Sequence, residues 1–130
     1  MVRGPTEILS DAHTIALVGA SPNPARPSNS VMRYLLAVGY RVVPVRPHVQ
    51  EILGIPCVPS LAQIDEPVDL VDVFRRAESC PQVAEEAVDA EAGALWLQLG
   101  IVSPQARAIA EAAGLDYVEN ACTAIVHRSM

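Results

Sequence analysis

At 130 residues the chain is long enough for one hydrophobic core and too short for two ordinary domains, so a single domain over residues 1–130 is expected. Apolar residues make up 51% of it, yet no uninterrupted apolar run approaches the roughly 18 residues that span a bilayer, which argues against a membrane span. The net charge of −6 argues against a general nucleic-acid binder, and the opening MVRGPTEILSDAH has acids and no long apolar stretch, so a cytoplasmic location is expected.

Glu7 to Ala12 reads as a short amphipathic helix, expected to pack on a sheet edge. Thr14 to Val18 is an apolar, partly β-branched run that fits a strand buried on both faces. Gly19-Ala20-Ser21 then turns the chain: Gly19 permits positive φ and close backbone approach, and Ser21 offers a hydroxyl. Ser28 is the expected N-cap of a helix over Asn29 to Val38, with Val31, Met32, Leu35 and Leu36 on its apolar face. Unpaired amides at such a helix start suit a phosphate. The dinucleotide fingerprint is missing, because Ser21 and Pro24 stand where its later glycines belong.

Gly39 stops that helix, and Tyr40 to Val45 forms a second strand, with Pro44 marking its outer edge. Arg46-Pro47 follows, where an NAD-binding unit places an acid and an Arg instead accommodates a ribose phosphate. Residues 49 to 67 are expected to hold a turn of helix, a brief strand near Cys57-Val58 and a helical turn from Ser60. Val68 to Phe74 is a third long strand, and it carries Arg75 and Arg76 at its carboxyl end, the side on which open α/β sheets bind ligands. A helix opens at Ser79 or Cys80 and runs to about Ala92. Gly93 to Gly100 is a buried strand ending in Gln98 and Gly100, where the Gln98 amide either meets a ligand or caps a loop. Ser103-Pro104 opens a helix with Ala106, Ile109, Ala110 and Ala113 inward; Asp116 to Glu119 is a last strand, and a terminal turn or short helix runs to His127. Alternation of this kind predicts an α/β fold, a Rossmann-like open parallel β-sheet of about five strands with helices on both faces.

Charge is unevenly spread. The chain has nine arginines and no lysine; four of them lie between Ala12 and Gln50, where there is no Asp or Glu, whereas residues 61 to 130 carry twelve acids against four arginines. Arginine pairs bidentately with phosphate oxygens, so the acid-free segment around the Gly-Ala-Ser turn reads as an anion site. Motifs for catalysis are absent: there is no Ser-His-Asp order, H-E-x-x-H, phosphate-loop lysine or close carboxylate pair. Cys122 and His127 need not touch, so no catalytic residue is assigned. Cys57, Cys80 and Cys122 lack C-x-x-C spacing and read as buried free thiols, with neither a disulfide framework nor a metal site.

Four motifs, V-G-A-S-P-N-P-x-R-P-S (Val18 to Ser28), V-M-R-Y-L (Val31 to Leu35), V-D-L-V-D-V-F-R-R (Val68 to Arg76) and W-L-Q-L-G-I (Trp96 to Ile101), resemble the small bacterial CoA-binding proteins. That Rossmann-like family is similar to the CoA-binding domain of the succinyl-CoA synthetase α subunit. The resemblance implies that Gly19, Ala20, Ser21, Arg26 and Ser28 hold phosphates, with the second-strand end (Val45, Arg46, Pro47), Phe74 and Arg75 lining a nucleotide groove. Arg76, Gln98 and Gly100, at the ends of later strands, complete the expected cofactor-binding set. Two departures stand out. The family's usual Asn-Pro is here Arg46-Pro47, which either strengthens a phosphate grip or blocks the adenosine pocket. Ala121 and Val126 replace an Arg and an acid near the late Cys and His, which weakens any catalytic role there.

The leading expectation is a module that binds CoA or acyl-CoA and has no chemistry of its own. An NADP-binding sensor or oxidoreductase and an interaction module with a decayed nucleotide site are the alternatives.

Overall fold

Helix α1 (Pro5–Asp11) leads into strand β1 (Thr14–Val18), and the turn after β1 opens α2 (Pro27–Ala37) and β2 (Arg41–Val45) in a computed structural model that describes residues 2–130. A small hairpin, β3 (Glu51–Ile52) and β4 (Ile55–Pro56), and a 3₁₀ turn at Leu61–Gln63 come next. Then β5 (Leu70–Val73), α3 (Cys80–Asp89), β6 (Ala94–Leu97), α4 (Pro104–Ala112), β7 (Asp116–Val118) and α5 (Thr123–Arg128) complete the chain.

Five of the strands form one parallel sheet in the order β2-β1-β5-β6-β7. Counting sheet strands alone, this is a 2-1-3-4-5 doubly wound arrangement, which reverses direction between β1 and β5. The expected α/β fold is therefore the observed one. Side chains alternate across the sheet as strand geometry requires. Ile15, Leu17, Leu70 and Trp96 pack with α1, α2 and α5, while Ala16, Val18, Val71, Val73, Leu95 and Leu97 pack with α3 and α4.

Several local expectations are corrected. Helix α2 starts at Pro27 with Arg26 at its N-cap, and Ser28 is the second helical residue rather than the cap. Proline's fixed φ and missing N–H suit the first helical position, and here that preference overrides the capping preference of serine. Helix α1 lies on a sheet face, not an edge: Ile8 and Leu9 are each 1% exposed and share a cluster with Leu17, Leu35 and Trp96. In place of the expected helical turn after Val49, β3 and β4 pair around Leu53 and Gly54, both at positive φ (53° and 77°), the geometry of a two-residue hairpin turn. The strand expected near Cys57-Val58 is a single bridge from Val58 to Val45. Pro44 fits this arrangement: its carbonyl points outward to the Val58 N–H, so its absent N–H leaves no gap in the pairing with β1. Ala113, expected inward, follows the last turn of α4 and is exposed.

Candidate functional site: a groove across the strand ends

Residues that immediately follow β1, β2, β5 and β6 — Gly19, Arg46, Phe74 and Gln98 — converge on one groove of about 740 Å³, which the N-terminal turn of α2 and the start of α5 also line. It lies where the strand order reverses, the position at which open α/β sheets take their ligands.

The floor at β1 is backbone. Gly19 has φ +87°, and a Cβ there would sit 2.4 Å from the Phe74 carbonyl oxygen, so no other residue fits without moving β5. Beyond it the loop is pinned from within. Ser21 Oγ accepts from the Asn23 N–H at 3.1 Å, Asn23 Oδ1 accepts from the Ala25 N–H at 2.9 Å, and the buried Asn29 donates from Nδ2 to the Ser21 carbonyl at 2.9 Å. Arg33 in turn donates to Asn29 Oδ1 at 2.6 Å. A loop held this way presents the positive end of α2 in one fixed position, where Pro27 has no N–H, the Asn29 N–H is bonded to the Arg26 carbonyl at 3.0 Å and the Ser28 N–H has no backbone partner among the described residues.

Around this floor stand four exposed arginines: Arg26, Arg46, Arg75 and Arg76. Arg76 lies 4.0 Å from Glu78, whereas among the described residues Arg26, Arg46 and Arg75 have no carboxylate within salt-bridge distance. Arg46 reaches back over the β1 turn and donates from Nη1 to the Ala20 carbonyl at 3.3 Å. Unneutralised guanidinium groups grouped beside a helix start give this wall the charge and donors that an anion would need. The opposite wall is apolar: Leu99 is 64% exposed and Ile125 56%, and Ile101 and Cys122 lie beside them.

Gln98 ties the groove to a buried polar network whose other members, Asp72 and Thr123, were not expected from the sequence. Asp72, fully buried on β5, accepts hydrogen bonds from Gln98 Nε2 and, at 2.9 Å, from the Thr123 hydroxyl. Gln98 Nε2 also donates to Thr123 Oγ1 at 3.0 Å. Burial raises the Asp72 carboxyl to about 7, and the hydrogen bonds from Gln98 and Thr123 only partly oppose that shift.

Of the residues singled out in the sequence, Gly19, Ser21, Arg26, Ser28, Arg46, Phe74, Arg75, Arg76 and Gln98 line the groove together. Ala20, Val45, Pro47 and Gly100 lie outside its wall: Ala20 is fully buried, Val45 points into the cluster shared with α3, Pro47 is exposed, and Gly100 forms a turn at φ +86° whose N–H meets Asn120 Oδ1 at 2.7 Å. Cys122, expected to be a buried free thiol, is half-buried on the groove wall because the segment after β7, which pairs beside β6, bonds back to the β6 end through the Ala121 N–H and the Leu97 carbonyl. Trp96 Nε1 fixes that return by donating to the Ala121 carbonyl at 2.8 Å. His127 faces away and pairs through Nδ1 with the Tyr34 hydroxyl at 2.7 Å. One sequence signal did exist for the network: an acid in the middle of an apolar strand run must find partners or lose its charge.

The sequence and the fold both have relatives. YneT of Bacillus subtilis (strain 168) is 39% identical over 121 residues, 93% of this chain and 90% of that protein. A structure from Pyrococcus horikoshii OT3 superposes with a TM-score of 0.93 at 39% identity, covering 96% of this chain and 88% of that one. The ADP-forming acetate-CoA ligase I of Archaeoglobus fulgidus is 39% identical over 72 residues, 55% of this chain but 10% of that enzyme. The family model described as the CoA binding domain matches residues 13–128, nearly the whole length, and the chain belongs to that family.

Proposed function

We propose that the protein binds CoA or an acyl-CoA in the strand-end groove and has no catalysis of its own. The observation that carries this reading is the set of carboxylate-free arginines around the Gly19 turn, facing an apolar wall across one groove. CoA has the matching polarity, with a phosphorylated ribose and pyrophosphate at one end and a thiol or thioester at the other. Arg46, at the end of β2, is the candidate for the ribose phosphate; Arg26, at the α2 N-cap, is the candidate for the pyrophosphate. The leucine and isoleucines of the opposite wall would receive an acyl group. As a whole, the candidate ligand site is Gly19, Ser21, Arg26, Ser28, Arg46, Phe74, Arg75, Arg76 and Gln98.

Titration calorimetry with CoA, dephospho-CoA, NADPH and NAD at one salt concentration tests it. CoA is expected to bind and NAD not to. Arg46→Ala should weaken CoA roughly tenfold and dephospho-CoA hardly at all, while Arg26→Ala weakens both alike. NADPH binding more tightly than CoA would favour the NADP reading, which the ribose-phosphate position of Arg46 also accommodates. Tighter CoA binding by Arg46→Ala would make that arginine a plug in a repurposed site.

A further inference from the structure

Gln98 is 3% exposed, and both hydrogens of its amide nitrogen are committed, one to Asp72 Oδ1 and one to Thr123 Oγ1. Thr123 in turn donates its hydroxyl hydrogen to Asp72 Oδ2, closing a three-membered ring of side chains. Asp72, ionised above about pH 7, is then an acceptor only and holds the nitrogen of Gln98 on its own side, which turns the carboxamide oxygen away. Gln98 lines the groove, and its Oε1 has no hydrogen-bond partner among the described residues. A side chain this buried, with one polar atom left open to the cavity, is a built acceptor.

Its place along the groove selects the donor. The sheet runs β2-β1-β5-β6, with Arg46 after β2, the Gly19 turn after β1, Arg75 near the end of β5 and Gln98 after β6. Gln98 therefore lies beyond the arginines, next to Leu99 and Ile101 of the apolar wall. A CoA whose phosphates meet the arginines carries its amide-bearing arm past this point. Building on the CoA reading above, we propose that Gln98 Oε1 accepts a hydrogen bond from an amide N–H of that arm, and that Asp72 and Thr123 are positioning residues that keep the oxygen facing the ligand.

Adenosine 3′,5′-bisphosphate, which lacks the arm, separates this role from a structural one. Calorimetry with it and with CoA is carried out on the wild type, Gln98→Met, Thr123→Val and Thr123→Ser. Gln98→Met and Thr123→Val should each weaken CoA about fivefold or more and leave the bisphosphate within about twofold, whereas Thr123→Ser, which keeps the hydroxyl, should bind CoA within about twofold of wild type. Undiminished CoA binding by the variants, or equal losses for both ligands, overturns the assignment while the CoA reading stands. Failure of the wild type to bind CoA removes that reading and the assignment together. The Thr123 pair decides the matter if Gln98→Met does not fold.

Discussion

The two faces of the sheet are built from the same strands and have different chemistry. Toward α3 and α4, β5 and β6 present Val71, Val73, Leu95 and Leu97, all fully buried and all hydrocarbon. Toward α2 and α5 the same strands present Leu70, Asp72, Trp96 and Gln98, apolar at the start of each strand and polar at its end. One face is thus given wholly to packing. On the other, polar groups are concentrated at the carboxyl ends, where the groove opens, and the buried Asp72 is satisfied there by Gln98 and Thr123.

Substitutions can break this division. Leu95→Ala, on the dry face, should cost about 2–5 kcal/mol of stability, seen as a lower urea midpoint, with CoA affinity of the folded fraction unchanged. An affinity loss there would mean that the faces are coupled. Gly19→Ala should cost on the order of 2–3 kcal/mol, because the new Cβ meets the Phe74 carbonyl at a positive φ; unlike Leu95→Ala, it should also weaken CoA, since the turn that carries the proposed phosphate site moves.

The polar half of the second face should also show in the pH dependence of folding. Asp72 has an ordinary value of 3.8 and a folded value of about 7, so the native state holds its proton more tightly than the unfolded chain. Its contribution is complete below pH 3.8 and is lost as the pH rises through 7, with a slope of at most about 1.4 kcal/mol per pH unit. Asp72→Asn should flatten that slope between pH 4 and 7 in denaturant titrations; an unchanged slope would mean that Asp72 is not its source. The smallest effect expected concerns Cys122, which lies on the groove wall: saturating CoA should slow its alkylation by iodoacetamide about threefold or more, while Cys80, fully buried, stays unreactive with or without ligand.

The sequence carried the strand-turn-helix around Gly19 because each of its signals is local: an apolar run, a glycine, a proline-rich loop and a helical period. The alternation of strands and helices carried the sheet for the same reason. Residues 49 to 58 lack any period, and the hairpin there depends on Leu53 and Gly54 both adopting positive φ, which leucine does not advertise. Asp72 was hidden inside a run read for its apolar alternation. Thr123 and Cys122 reach the groove through the return of the chain after β7, held by Trp96 across 25 residues, and no local pattern encodes such a contact. The arginines were legible as a charge imbalance, but the approach of Arg76 to Glu78 and the reach of Arg46 to Ala20 depend on the folded backbone.

The bridge from Val58 to β2 also bears on how this protein meets copies of itself. A terminal strand with an open ladder is a template on which another chain can lay a strand, the usual route to runaway intermolecular pairing. Here the outward carbonyl of Pro44 and the amide of Arg46 are already spent on Val58, at 3.1 and 2.9 Å, and proline has no amide to offer. The opposite border, β7, is three residues long. Growth of the sheet by strand addition therefore meets a border strand blocked at its carboxyl half by Val58 and Pro44 on one side, and a strand of only three residues on the other.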